Sequence, residues 1–182
     1  MALEFTTSYV ADSISLLRYY KKLGDQAMAQ VSDDGLRATL DAESNSIAII
    51  VKHLTGNMRS RWADFLTSDG EKPDRNRDDE FRAAPQTRAE ITATWEASWK
   101  IVFEALAPLT DADLGRTILI RDERHSVMQA INRQVAHYAY HIGQIVFMAK
   151  HLASDRWTSL TIPREKSSDY NDRVASGKLS QR

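Results

Sequence analysis

The chain contains no cysteine. Disulfide staples, thiolate metal sites and cysteine nucleophiles are therefore excluded, and any bound metal has to be held by His, Asp or Glu. Proline and glycine are scarce, at four and seven residues, so little in the chain resembles a collagenous or low-complexity segment. Charge of one sign is not in excess either. The 24 basic and 25 acidic residues are mixed along the sequence and leave a formal net charge of -1, which provides no basic field to draw in nucleic acid. No stretch approaches the ~18 apolar residues of a membrane span, and the start Met1-Ala-Leu-Glu-Phe-Thr-Thr-Ser8 lacks the basic and apolar regions of a secretory signal. A cytoplasmic location without membrane partners is expected.

What remains is a globular composition, 42% hydrophobic and 27% charged over 182 residues, enough to bury a core in a single domain spanning 1–182. Four amphipathic helices are predicted from apolar residues recurring at spacings of three and four. The first runs from Val10 to Val31 through Ile14, Leu17, Tyr20, Leu23 and Ala27. The second follows the cap candidates Ser44-Asn-Ser46 and reaches Leu66, with Ile47, Ile50, Val51, Leu54, Met58, Trp62 and Phe65 on one side. A long exposed loop is expected over Thr67 to Gln86, which carries Asp69-Gly70, Pro73 and Pro85 and no sustained period. The third helix opens on Thr87-Arg-Ala-Glu90, a capping box, and ends before Pro108. Thr117-Ile-Leu-Ile120 reads as a short extended piece, and the fourth helix runs from Ser126 to about Leu152. Beyond it, Trp157, Leu160 and Ile162 can pack, while the Ser/Lys/Asp/Arg-rich end looks weakly ordered. The pattern predicts an all-α four-helix bundle.

On the fourth helix His137 and His141 stand about 40° apart, so both imidazoles can address one ion. His53 lies in the apolar middle of the second helix, from which a facing helix can supply a third ligand. Three imidazoles leave open positions on a divalent ion, the arrangement of a catalytic site rather than a sealed structural one. Asn57, about 40° from His53, and Gln144, about -20° from His137, are placed to orient a ligand or a metal-bound water. Arg61, two turns beyond His53, is read first as a salt-bridged surface arginine and alternatively as a group that binds an anionic substrate, and His125 and His151 as surface residues. Gly56 and Gly143 sit inside helices near the histidines, where a glycine hints at close approach by another group. Tyr138 replaces the glutamate of a zinc-protease helix, and Gln134 stands where a di-iron bundle needs Glu, so both of those chemistries are set aside. No phosphate-binding Gly-rich loop and no nucleophile elbow appear.

The segments Asn45-Ser-Ile-Ala-Ile-Ile-Val-Lys-His53-Leu and His137-Tyr-Ala-Tyr-His141-Ile-Gly-Gln144 resemble those of the DinB/YfiT-like family of metalloenzymes. The tail Trp157-Thr-Ser-Leu-Thr-Ile-Pro163-Arg-Glu-Lys-Ser167 is similar to a branch of that family without known function, in which Gly often stands in place of Glu165. The resemblance implies a four-helix bundle, commonly dimeric, with a nickel or zinc ion on His53, His137 and His141. It further implies a thiol-dependent S-transferase acting on a small molecule with a low-molecular-weight thiol as co-substrate. A metal-dependent hydrolase, or a bundle that binds a metal or small ligand without catalysis, is the alternative. A homodimer is expected, with aromatic positions of the first and third helices as candidates for its interface. No general base is assigned.

Overall fold

The structure, a computed structural model, describes residues 6–180. It is mostly helical, with helices α1 (Tyr9–Met28), α2 (Asp33–Arg37), α3 (Ile47–Trp62), α4 (Arg88–Leu106), α5 (Val127–Ala153) and α6 (Ser167–Ala175). Strands β1 (Thr117–Ile120) and β2 (Glu123–Ser126) form one antiparallel hairpin between α4 and α5. The all-α expectation thus holds for the long elements; Thr117–Ile120, read as a short extended piece, is β1, and only its partner β2 was not expected. No helix among the described residues is long and apolar enough to cross a membrane.

The helices begin where side chains satisfy their free N–H groups. Ser8 and Ser46 cap α1 and α3, and full capping boxes, Thr87 with Glu90 and Ser126 with Gln129, open α4 and α5. The four long helices α1, α3, α4 and α5 share one core, in which α1 packs on α5 and α3 on α4. Leu17 of α1, Leu54 and Met58 of α3, Trp95 and Trp99 of α4, and Ile131, Tyr138 and Ile145 of α5 are almost fully enclosed. Trp99 lies edge-on to both Trp95 and Tyr138, with ring centres 5.5 Å apart in each case.

Three boundaries differ from the sequence reading. The first helix stops at Met28, and Ser32, accepting a hydrogen bond from Gly35 N, starts the separate short helix α2 in a stretch read as irregular. The second predicted helix ends at Trp62 rather than Leu66, because the chain turns extended at Ala63 and left-handed at Asp64 (φ 50°). Phe65 stays buried all the same, packed edge-on to Trp62. The end of the chain, expected to be weakly ordered, carries α6, which buries none of its residues.

The segment between α3 and α4 is irregular as expected, yet it is not simply exposed. Its 3-10 turn Asp79–Phe81 buries Glu80, and the Arg75 side chain is only 5% exposed. Asp69 fastens this segment to the hairpin. Its carboxylate accepts the backbone N–H groups of Arg121 and Asp122, both at 2.8 Å, and Gly70 N donates to Leu119 O. Arg121 and Asp122 form the two-residue turn with φ of 57° and 63°, the twist that a tight hairpin needs but that side chains resist. The Asp69 bonds offset part of that cost, and they bring Arg121 to the mouth of the site.

Candidate metal centre

His53 projects from α3, and His137 and His141 from successive turns of α5. Each offers a nitrogen, and the three nitrogens lie within 4.8 Å of one another. His53 Nε2 and His137 Nε2 are 3.2 Å apart. Two nitrogens each bound at ~2.0–2.1 Å to a tetrahedral ion sit about 3.3 Å apart, so the pair already has chelating spacing.

The hydrogen bonds around the rings fix which nitrogen is free. His53 Nδ1 donates to Glu80 Oε2 at 2.8 Å, and His141 Nδ1 donates to Gln144 Oε1 at 2.8 Å. Both rings therefore turn the unprotonated Nε2 inward, the arrangement that outer partners impose on metal-binding histidines. His137 differs, because its Nδ1 is buried and has no partner. Burial, reinforced by His141, His53, Arg75 and Arg61, pulls its pKa down to about 3. Burial also lowers His141, against the opposing bond to Gln144. Rings that stay neutral and aim lone pairs at one point suit a divalent cation.

Glu80 is the anchor that sequence reading missed. Burial works to raise its pKa, but bonds from His53 and Arg75 outweigh it and hold the group below the usual carboxylate range. Arg75 grips it with two bonds, Nε to Oε1 at 2.8 Å and Nη2 to Oε2 at 3.1 Å. Gly56, on the next turn of α3 from His53, makes room for this carboxylate, because a Cβ there would collide with Glu80 Oε1. The close approach hinted at by glycine is thus real at Gly56, while Gly143 faces open space. Phe81 covers the His53 ring with centres 4.7 Å apart.

Of the residues expected to support the ligands, Gln144 bonds His141 directly. Asn57 is buried beside the site but bonds no histidine, and its Oδ1 has no partner. Arg61 is corrected, since it is buried rather than superficial, donating to Gly70 O and, at 3.1 Å, to Glu71. His151 is exposed and His125 half-buried on β2, both outside the cluster. The large exposed apolar side chains include Tyr140 and Phe147 of α5, whereas the tryptophans of α4 are buried and Tyr19 and Tyr20 of α1 half-buried, so α1 and α4 do not offer the exposed aromatics expected of an interface.

The histidines line a pocket of about 590 Å³ whose wall includes Asn57, Gln134 and Tyr140. An ion on the three nitrogens would therefore face space large enough for a small molecule. No curated protein and no solved structure matches the chain. Residues 4–166 match the family described as "Protein of unknown function (DUF1572)", and the chain, covered over most of its length, belongs to that family.

Proposed function

We propose that the protein is a metal-dependent S-transferase. It is a four-helix bundle of the DinB/YfiT-like kind that holds one nickel or zinc ion on His53, His137 and His141 and joins a low-molecular-weight thiol to a small electrophile. The observation that carries this reading is the convergence of three imidazoles at the wall of an open pocket, two of them bonded through Nδ1 to Glu80 and Gln144. The packing of α1, α3, α4 and α5 about one core supports the bundle.

The ion, when bound, lowers the pKa of a coordinated thiol or water and so supplies a nucleophile near neutral pH. The chain's own contribution is positioning. Glu80 and Gln144 orient two rings, Phe81 shields His53, and burial keeps His137 and His141 uncharged. Because the chain has no cysteine, the sulfur nucleophile comes from outside.

The test starts from untagged protein, with metal measured by mass spectrometry in wild type and His137→Ala. Stoichiometric nickel or zinc is expected in the wild type and none in the variant. The cobalt-substituted protein is then titrated with small thiols, and a thiolate-to-cobalt charge-transfer band is expected. Metal without that band, and without turnover of thiol and electrophile panels above His53→Ala, would leave a metal site and remove the transferase.

A further inference from the structure

Five arginines, Arg61, Arg75, Arg77, Arg121 and Arg133, line the histidine pocket, and no acidic side chain does. Two carboxylates just behind the wall answer part of that charge. Glu71 pairs with Arg61, Arg75 and Arg121, and Glu80 pairs with Arg75. The Asp69 carboxylate also acts on Arg61, so five guanidiniums face three carboxylates and two positive charges are left over. Arg77 and Arg133 have no carboxylate partner among the described residues, and only the Phe81 ring, 5.1 Å away, receives the Arg77 cation. Arg133 precedes His137 by one helical turn and so shares the face of α5 that carries the histidines.

The wall of the pocket is short of hydrogen-bond partners as well as of negative charge. Among the described residues, five buried side-chain polar atoms lack a partner, and four of them belong to residues lining this pocket: Asn57 Oδ1, Arg61 Nε, Gln134 Oε1 and His137 Nδ1. Asn57, Arg61 and Gln134 are each more than nine-tenths buried. Groups left unsatisfied in this way cost stability, and their concentration behind one wall marks it as arranged for binding rather than for packing.

We propose that the pocket binds a small organic anion, a carboxylate or a phosphate, held at its charged end by Arg77 and Arg133 with the remainder lying along Asn57 and Gln134 toward the histidines. The assignment deepens the metal reading and rests on it for which end of the anion reacts. Arginine suits the charged end because its planar fork matches both oxyanions, and two guanidiniums without carboxylates can be engaged without breaking an existing pair. Arg75 and Arg61 are unsuited to that role, since Arg75 is spent on Glu80 and Glu71, and Arg61 commits both Nη groups to Gly70 and Glu71, leaving only its buried Nε.

Calorimetric titration of the zinc-treated protein with succinate, inorganic phosphate and the neutral analogue succinamide tests this. Wild type is expected to bind at least one of the two anions at least tenfold more tightly than succinamide, with affinity falling as sodium chloride is raised. The double variant Arg77→Ala/Arg133→Ala is expected to lose at least tenfold in anion affinity with zinc stoichiometry unchanged, and Arg77→Lys/Arg133→Lys to fall between. Both positions are exposed, so the variants keep the fold. Tighter phosphate than succinate assigns a phosphoryl ligand, and the reverse assigns a carboxylate. Anions that bind no better than succinamide, or equally well to the double alanine variant, overturn the proposal. Zinc stoichiometry on the same samples separates the two readings, because a protein that takes up no zinc but still binds the anion through these arginines defeats the metal reading alone.

Discussion

Tyr138 and His137 are adjacent on α5, both polar and both turned into the protein, yet their surroundings are opposite in kind. Tyr138 is fully enclosed, its hydroxyl accepts the Trp62 indole N–H at 2.9 Å, and its ring lies edge-on to Trp99. Burial pushes its phenol well above the usual pKa, so it stays neutral and needs no counter-charge. His137 has an orphaned Nδ1, two other imidazoles beside it, and Arg75 and Arg61 close enough to oppose its protonation. A satisfied buried pair adds stability, whereas a converging and unsatisfied cluster subtracts from it until a ligand arrives. One helix thus presents a structural face and a binding face, and the two are told apart by which polar atoms have partners.

The largest effect that would break this contrast belongs to His137. In His137→Ala, affinity for zinc, measured by competition with a chelator, is expected to fall by more than about a hundredfold, because one of three ligands is gone. Thermal stability of the metal-free protein is expected to hold or rise, since the substitution removes an unpaired buried nitrogen. A metal-free variant that melts well below wild type would make His137 a structural residue like its neighbour. Next comes Glu80→Gln, which keeps the shape but removes the charge that orients His53; about 10–100-fold weaker zinc binding is expected, as for other outer partners of ligating histidines. Gly56→Ala should act in the same direction by displacing the same carboxylate, and unchanged zinc affinity in both would show that Glu80 serves only Arg75.

Tyr138→Phe tests the other face. It leaves the Trp62 N–H unpaired in the core, which costs about 1–3 kcal/mol in chemical denaturation, while zinc affinity should not change. A loss of metal binding here would join the two faces into one network.

This division was legible in the sequence only where it is local. The capping box at Thr87, the helix start at Ser126 and the turn-spaced pair His137 and His141 are set by residues a few positions apart, and they stand where the pattern places them. His53 needed the family resemblance as well as its apolar setting. The Glu80–Arg75 anchor could not be read, because residues 67–86 have no period and their burial comes from ion pairs to α3 and the hairpin. Arg61 was misread for the same reason, since its partners Gly70 and Glu71 lie across the turn that ends α3. The strand β2 escaped notice because Glu123-Arg-His-Ser126 is polar and its turn, Arg121-Asp122, lacks the glycine that usually marks a tight hairpin.

The smallest prediction concerns Asp69, which joins the rim of the binding face to the rest of the fold. Burial tends to raise its pKa, but the N–H groups of Asp122, Glu71 and Arg121, helped by the Arg61 charge, outweigh it and leave the carboxyl below 3.8. A folded pKa below the unfolded one means that the carboxylate stabilises the protein above the unfolded value and that this contribution disappears as pH falls through the folded one. Asp69→Asn should therefore melt lower than wild type at pH 7, with the gap closing in acid below pH 3.8. The site is open to solvent, so the effect on stability should stay under about 1 kcal/mol. Because Asp69 holds Arg121 and not the histidines, zinc affinity should be unaffected. A gap independent of pH would show that backbone geometry at the hairpin turn, and not the carboxylate charge, fastens the rim of the pocket.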